Sequence, residues 1–156
     1  MATYQSKQVA AGAPIPSSDN AYSLLGVTAE YVTPTGGLAS GAIIEMGPIP
    51  PGYIPVDLVV HTGILGTSVT LDAGILTGEF GTQPAVDRTM GSEFFASAQA
   101  AATAVLLRAT KSFAALSPGD IAAVPTGWGL KVGGATTSAA IKIRATMYFQ
   151  PAPIGM

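Results

Sequence analysis

Apolar and polar side chains alternate in this sequence in short runs, each no longer than a strand and each closed by glycine or proline. Ile141, Ile143, Ala145, Met147 and Phe149 alternate with Lys142, Arg144, Thr146, Tyr148 and Gln150. Val56, Leu58 and Val60 alternate with Asp57, Val59 and His61. After the loop Gly63–Thr67, Val69, Leu71, Ala73 and Ile75 alternate with Thr70, Asp72 and Gly74. Period two with branched residues at the apolar positions means half-buried strands, one face on a core and one facing outward. Paired as a hairpin, the 56–61 and 69–75 strands would set Val56 opposite Ile75, Leu58 opposite Ala73 and Val60 opposite Leu71. A slip of one residue would bury Asp72 and expose Leu71.

The remaining runs fit the same scheme. Strands are expected over Gly26–Thr33, Ala42–Met46, Thr103–Ala109, Ile121–Val124 and Trp128–Val132, with a last one over Ile141–Gln150. Pro51-Gly52 suits the centre of a type II turn, where proline presets φ and glycine accepts a positive one. Between Leu76 and Ala102 the pattern loosens, and the alanines there predict a short helix near 92–101 anchored by Phe94 and Phe95. Residues 1–20, with Pro14 and Pro16 and no periodicity, read as an extended N-terminal arm. Such an arm is either frayed or ordered against a neighbouring subunit. Residues 21–150 form the sandwich, and 151–156 a C-terminal tail. About eight short strands with turns between them give an all-β, two-sheet antiparallel sandwich of jelly-roll type. An immunoglobulin-like topology is the alternative.

Composition narrows the function. The chain has 156 residues, 48% hydrophobic and only 10% charged, with a net charge of −2. Soluble domains usually carry roughly 25% charged residues, so a chain this charge-poor suits a protein partly covered by other protein. No run of Lys or Arg exists to hold nucleic acid. Cysteine is absent, which removes disulfides and thiolate chemistry. No segment approaches the roughly 18 consecutive apolar residues of a membrane span. The opening residues MATYQSKQVAAGAPIP lack the apolar stretch of a signal peptide. The expectation is a soluble protein made in a cytosol, with no nucleic acid, membrane or cofactor.

Catalytic constellations are sparse. His61 is the one histidine, no serine sits in a Gly-x-Ser-x-Gly elbow, and the paired glycines do not open helices. In the hairpin register Asp57, His61 and Asp72 share an outer face. They are weak candidates to ligate Mn²⁺ or Zn²⁺; a solvated or intersubunit polar face is the favoured reading. Glu79, Asp87 and Glu93 show no spacing for paired acid–base work. Trp128 and the tyrosines offer a possible sugar-stacking shelf, although isolated aromatics in strands are more often core.

The order of motifs resembles a known family. A strand Ala29-Glu30-Tyr31-Val32-Thr33 is followed by Gly36-Gly37-Leu38-Ala39-Ser40-Gly41, then by Ile43-Ile44-Glu45-Met46 and the turn Pro48-Ile49-Pro50-Pro51-Gly52-Tyr53. A strand ending near His61 and the piece Ser68–Ile75 complete the series. This is similar to the jelly-roll capsid decoration, or cement, proteins of tailed double-stranded DNA bacteriophages. The resemblance implies a non-catalytic virion protein on the exterior of the capsid, bound to the major capsid protein and homotrimeric. With it, Tyr4, Gln5, Lys7 and Gln8 of the arm are expected to touch the capsid or a neighbouring subunit. A carbohydrate- or receptor-binding module of a head fibre or tail is the alternative.

Overall fold

The alternating runs do form strands whose apolar rows meet in one interior. A computed structural model describes residues 3–12, 24–81, 88–99, 105–109 and 126–151. In chain order its elements are β1 (Thr3–Gln5), one helical turn α1 (Lys7–Ala10), β2 (Leu25–Val32), β3 (Ile43–Ile49), β4 (Tyr53–Thr62) and β5 (Val69–Glu79). They continue with β6 (Phe95–Gln99), β7 (Val105–Arg108), β8 (Thr126–Gly134) and β9 (Lys142–Pro151). One sheet has the order β1-β3-β8-β5-β6 and the other β2-β9-β4-β7. From β2 onward the chain changes sheet at every step except β5 to β6, and every neighbouring pair is antiparallel. That wrapping is a jelly roll, as expected. The added strand β1 lies parallel on the outer edge of β3.

The central hairpin does not exist. β4 pairs with β9 and β7, whereas β5 pairs with β8 and β6. Leu58 and Val60 of β4 and Val69, Leu71 and Ala73 of β5 are all fully buried in one cluster, so they face a common interior from opposite sheets. Alternation fixes which face of a strand is buried, and a sandwich satisfies it as well as a ladder does. Leu65, buried at the turn between the two strands, plugs the corner where the chain crosses over. Val56 also departs from expectation. A bulge between Pro55 and Asp57 takes it out of register and leaves it half-buried, and the inward phase restarts at Leu58.

The expected helix near 92–101 is a correction of a different kind. Phe95–Gln99 is strand β6, paired to the edge of β5. Alanine favours a helix by only a few tenths of a kcal/mol per residue over its competitors, roughly. A free ladder edge on β5 and a core for two rings outweigh that. Phe94 and Phe95 are both buried: Phe94 stands just before the strand with its amide donating to the Ala73 carbonyl at 3.0 Å, and Phe95 opens the strand opposite Ala73. The Pro51-Gly52 turn forms as expected, with Gly52 at φ +78° and the Tyr53 amide donating to the Pro50 carbonyl at 3.2 Å. The strand expected over Ile121–Val124 lies outside the described residues.

The outer face of the five-stranded sheet is also filled. Gly127 and Gly129 of β8 and Gly74 of β5 leave a trough where side chains would otherwise stand. Leu76 lies over Gly129, Glu45 over Gly127, and Gly91 with the Glu93 carboxylate over Gly74; a Cβ at any of these glycines would collide with them. Glu45 forms an ion pair with Arg88 at 2.8 Å, both side chains almost wholly buried, and Arg88 Nε donates to the Thr77 carbonyl at 2.8 Å. Glu93 accepts from the Ile75 amide at 2.9 Å. The segment Arg88–Phe94 is thus strapped across the sheet by one buried charge pair and one carboxylate. Breaking such a pair from one side strands the other charge, at a cost of about 3–5 kcal/mol, whereas replacing both by apolar groups is often near neutral. Glu45→Ala should therefore lower stability by about that amount, and Glu45→Met with Arg88→Met should recover most of it, read by urea unfolding of Trp128 fluorescence.

Candidate interaction surface

The three candidate metal ligands are not brought together. Asp57 and His61 stand on β4, and Asp72 stands on β5 in the other sheet, where register sets it opposite Lys131. Asp57 accepts from Arg108 Nε at 2.9 Å and from its own neighbour, the Leu58 amide, at 2.9 Å. His61 lies in a row with Arg144 of β9 and Leu106 of β7, and with Lys142 it lines an open depression of about 840 Å³. Two cationic side chains beside the imidazole make that depression a poor place for a divalent cation. Among the described residues no group of three His, Asp or Glu side chains is placed to hold a metal. Glu79 ends β5 and Glu93 holds the strap, while Asp87 lies outside the described residues. Trp128 is fully buried on the inner face of β8, so it offers no shelf for a sugar.

What β2, β9, β4 and β7 present instead is a laced polar face. Arg144 donates to Glu30 through Nε at 2.8 Å and also through Nη2, and Lys142 approaches the same carboxylate at 4.0 Å. The Arg144 hydrogen bonds hold Glu30 below the usual carboxylate range, with the nearby positive charges adding to the effect. The Asp57 hydrogen bond raises Arg108 further above its ordinary value. Thr28 and Thr146 share a hydrogen bond at 2.8 Å across β2 and β9. These are cross-strand pairs on a solvated sheet, where screening and side-chain entropy leave each with little net effect on stability.

The N-terminal segment is placed against its own sheet. β1 sets Tyr4 opposite Ile44 and Gln5 opposite Glu45. Ser6 is fully buried: its amide donates to the Glu45 carbonyl at 2.8 Å, its hydroxyl to the Met46 carbonyl at 2.7 Å, and the same oxygen caps α1 by accepting from the Val9 amide at 3.2 Å. Lys7 is exposed at the first position of α1, and Gln8 follows it. The Tyr4 ring meets Tyr31 of β2 edge-on, centroids 6.3 Å apart. Residues 3–12 of the expected arm are therefore a docked strand and helical turn; 13–20 lie outside the described residues.

A third surface closes one end of the sandwich, where the β2–β3, β4–β5 and β8–β9 connections meet. Thr33 and Thr137, both buried, tie the β2–β3 and β8–β9 connections together. Thr33 Oγ1 donates to the Ser138 carbonyl and accepts from the Ile141 amide, each at 2.8 Å. Thr137 Oγ1 accepts from the Leu38 amide at 2.8 Å while the Thr137 amide donates to the Leu38 carbonyl at 3.0 Å. The Ser138 amide reaches the Leu65 carbonyl at 2.6 Å. Gly37, at φ +71°, fits so closely that a Cβ would strike the Thr137 carbonyl. This end carries no charged residue in any of the three connections (33–42, 63–68 and 135–141). Sequence reading missed it because its signal is an absence of charge spread over three distant loops.

Comparison with known proteins supports the fold. No protein-family model matches the sequence, and no curated protein does. Among solved structures, a chain of the capsid of Ralstonia phage GP4 is 28% identical with a TM-score of 0.84, over 97% of this chain and 99% of that one. A chain of the cyanophage Pam1 capsid asymmetric unit is 18% identical with a TM-score of 0.61, over 88% and 92%. A chain of the acidic stable capsid structure of Helicobacter pylori bacteriophage KHP30 is 14% identical with a TM-score of 0.53, over 84% and 91%. The last two share the fold; the first shares it along its whole length together with part of its sequence.

The Tyr4–Tyr31 contact gives a pH test of arm docking. Burial, with Tyr4 nearby, pushes the Tyr31 phenol up to about 12. A tyrosine titrates near pH 10, roughly, when unfolded, so the folded chain holds this proton more tightly. The stability it contributes is complete below pH 10 and is lost as pH rises toward about 12. Thermal melts should fall over that window, and Tyr31→Phe should flatten the fall.

Proposed function

We propose that this chain is a structural protein of a phage virion that binds the outside of the head and stabilises the major capsid lattice, as a trimer and without catalysis. The observation that carries the reading is the end-to-end likeness to a chain of the Ralstonia phage GP4 capsid. That the structural neighbours come from phage capsids supports a virion role. The sequence resemblance to decoration proteins supports placement on the exterior. Charge-poor composition agrees with a protein designed to be partly covered.

The physics of such a role is simple. A protein that binds only the assembled, expanded lattice stabilises that state by mass action. A trimer gripping several lattice subunits at once gains avidity of about 10²–10⁴ over one contact, provided the geometry allows simultaneous engagement. A rigid jelly roll meets that proviso better than a flexible clip, because its surfaces are fixed relative to one another. The N-terminal segment, with Tyr4 and Gln5 on β1 and Lys7 and Gln8 on α1, adds a sheet edge and an exposed cation to the surface offered to the shell.

Purified DNA-filled heads should contain this protein in a fixed ratio to the major capsid protein, and heads stripped of it should release DNA at a lower temperature until it is added back. Its presence only in tail fractions, or full head stability without it, would overturn the reading. Lys7→Glu should leave the melting temperature unchanged and weaken rebinding to stripped heads.

A further inference from the structure

We propose that the charge-free end of the sandwich is the surface through which copies of this chain meet around a rotation axis. The assignment rests on the oligomer proposed above and says which surface builds it. Four observations at that end carry it.

The first is chemical. Near a rotation axis every group meets its own copies, so a charge there is desolvated against a like charge. The three connections carry none; charge begins only on the flanks, with Lys142 and Glu30 on one sheet and Lys131 and Asp72 on the other. The second is what is exposed. Ile64 is 51% exposed beside the fully buried Leu65, and Ala39, Ser40, Ala139 and Ala140 of the other two connections are exposed as well. An apolar anchor on an end whose other exposed side chains are short costs little rotamer entropy to bury and matches the charge-depleted centre of protein interfaces.

The third is rigidity. The Thr33 and Thr137 hydroxyls, with the Leu38 and Ser138 amides, lock the loops into one plate before any partner arrives. Such preorganisation cuts the ordering cost of association. The fourth is strain. Among the described residues only Ser68 (φ 64°) and Ala140 (φ 53°) are non-glycine residues in the left-handed region, and both lie in this plate. Residues held there cost free energy and persist where surrounding structure over-determines them, as it does at binding surfaces. A second copy is the occupant this end suits, since about a rotation axis each group faces its own copy and these three connections bring no like charges together there.

The test places a charge at the centre. Ile64→Glu and, separately, Ala139→Glu are made in the full chain, with Trp128 fluorescence and melting temperature confirming the fold; Trp128 lies near the far end of β8 from the plate. Sedimentation at micromolar concentration should show the parent chain as an oligomer and both variants as monomers. Folded variants that remain oligomeric would overturn the assignment while leaving the virion reading intact. Variants that stay oligomeric yet no longer bind stripped heads would give the plate to the capsid instead, also overturning it. A monomeric parent chain that still binds heads would remove the oligomer itself and the assignment with it. Should either glutamate variant unfold, Ile64→Ser at the same exposed position provides the second readout, with at least a tenfold weaker self-association expected.

Discussion

The inner rows of the two sheets are buried against each other, and every other surface property follows from that contact. Leu58 and Val60 come to it from β4, Val69, Leu71 and Ala73 from β5, and Ile143, Ala145, Met147 and Phe149 from β9, all effectively without solvent exposure. Each of these side chains larger than alanine contributes about 1.5–3 kcal/mol relative to exposure, so this interior far exceeds any single polar contact in the molecule. The same contact explains why β4 and β5 separate. Joined as a hairpin they would extend one sheet and leave its apolar row without a partner. Split between sheets, they cover one another.

Because the interior is complete on its own, the outer faces are free to differ, and they do. On the five-stranded sheet, glycines at 74, 127 and 129 open a trough that Leu76, the Glu45–Arg88 pair and the Gly91–Glu93 strap fill. Glu45 and Arg88 keep polar atoms that find no hydrogen-bond partner, which makes the pair costly to hold and costlier to break. A hydrophobic pair would fill the space at less expense. The charges instead fix one position for the strap, since only one seating of Arg88 meets both Glu45 and the Thr77 carbonyl. The four-stranded sheet takes the opposite course, with an exposed lattice of Glu30, Arg144, Asp57 and Arg108.

Legibility in the sequence followed the range of the interaction involved. The β9 alternation, the Pro51-Gly52 turn and the inward set Leu58, Val60, Val69, Leu71 and Ala73 were readable because each depends on neighbours a few residues away. Strand partners were not, since alternation is blind to whether the facing row lies beside a strand or across the core. Phe94 and Phe95 were recognised as anchors, yet the element carrying them was misread because pairing to β5 is a tertiary term that alanine content cannot report. The Asp57–His61–Asp72 grouping depended wholly on the hairpin and dissolved with it. Nor could the sequence announce that Ser6 and Val9 would be buried, since two apolar-poor turns show no period. The plate was hidden for the same reason: Thr33 and Thr137 stand far apart in the chain and come together through Ser138, Leu38 and Ile141.

The contrast between a charged flank and an uncharged end bears on how such a molecule avoids assembling wrongly. A chain with so few charges is prone to associate through any apolar surface, and a sandwich of twisted sheets also presents strand edges. Here β1 and the Ser6 latch cover the edge of β3, and the Glu30–Arg144 and Asp57–Arg108 pairs make the broad face of the other sheet unattractive to a second sheet. Beside that charged face and the covered β3 edge, the end plate is a hydrogen-bonded surface where removing water uncovers no charge. In the proposed self-contact, specificity would then come from what is disallowed elsewhere as much as from what Ile64 gains. The left-handed Ser68 and Ala140 fit this account: a plate that relaxed to unstrained loops would present a different surface, and the buried threonines hold it in the one that matches.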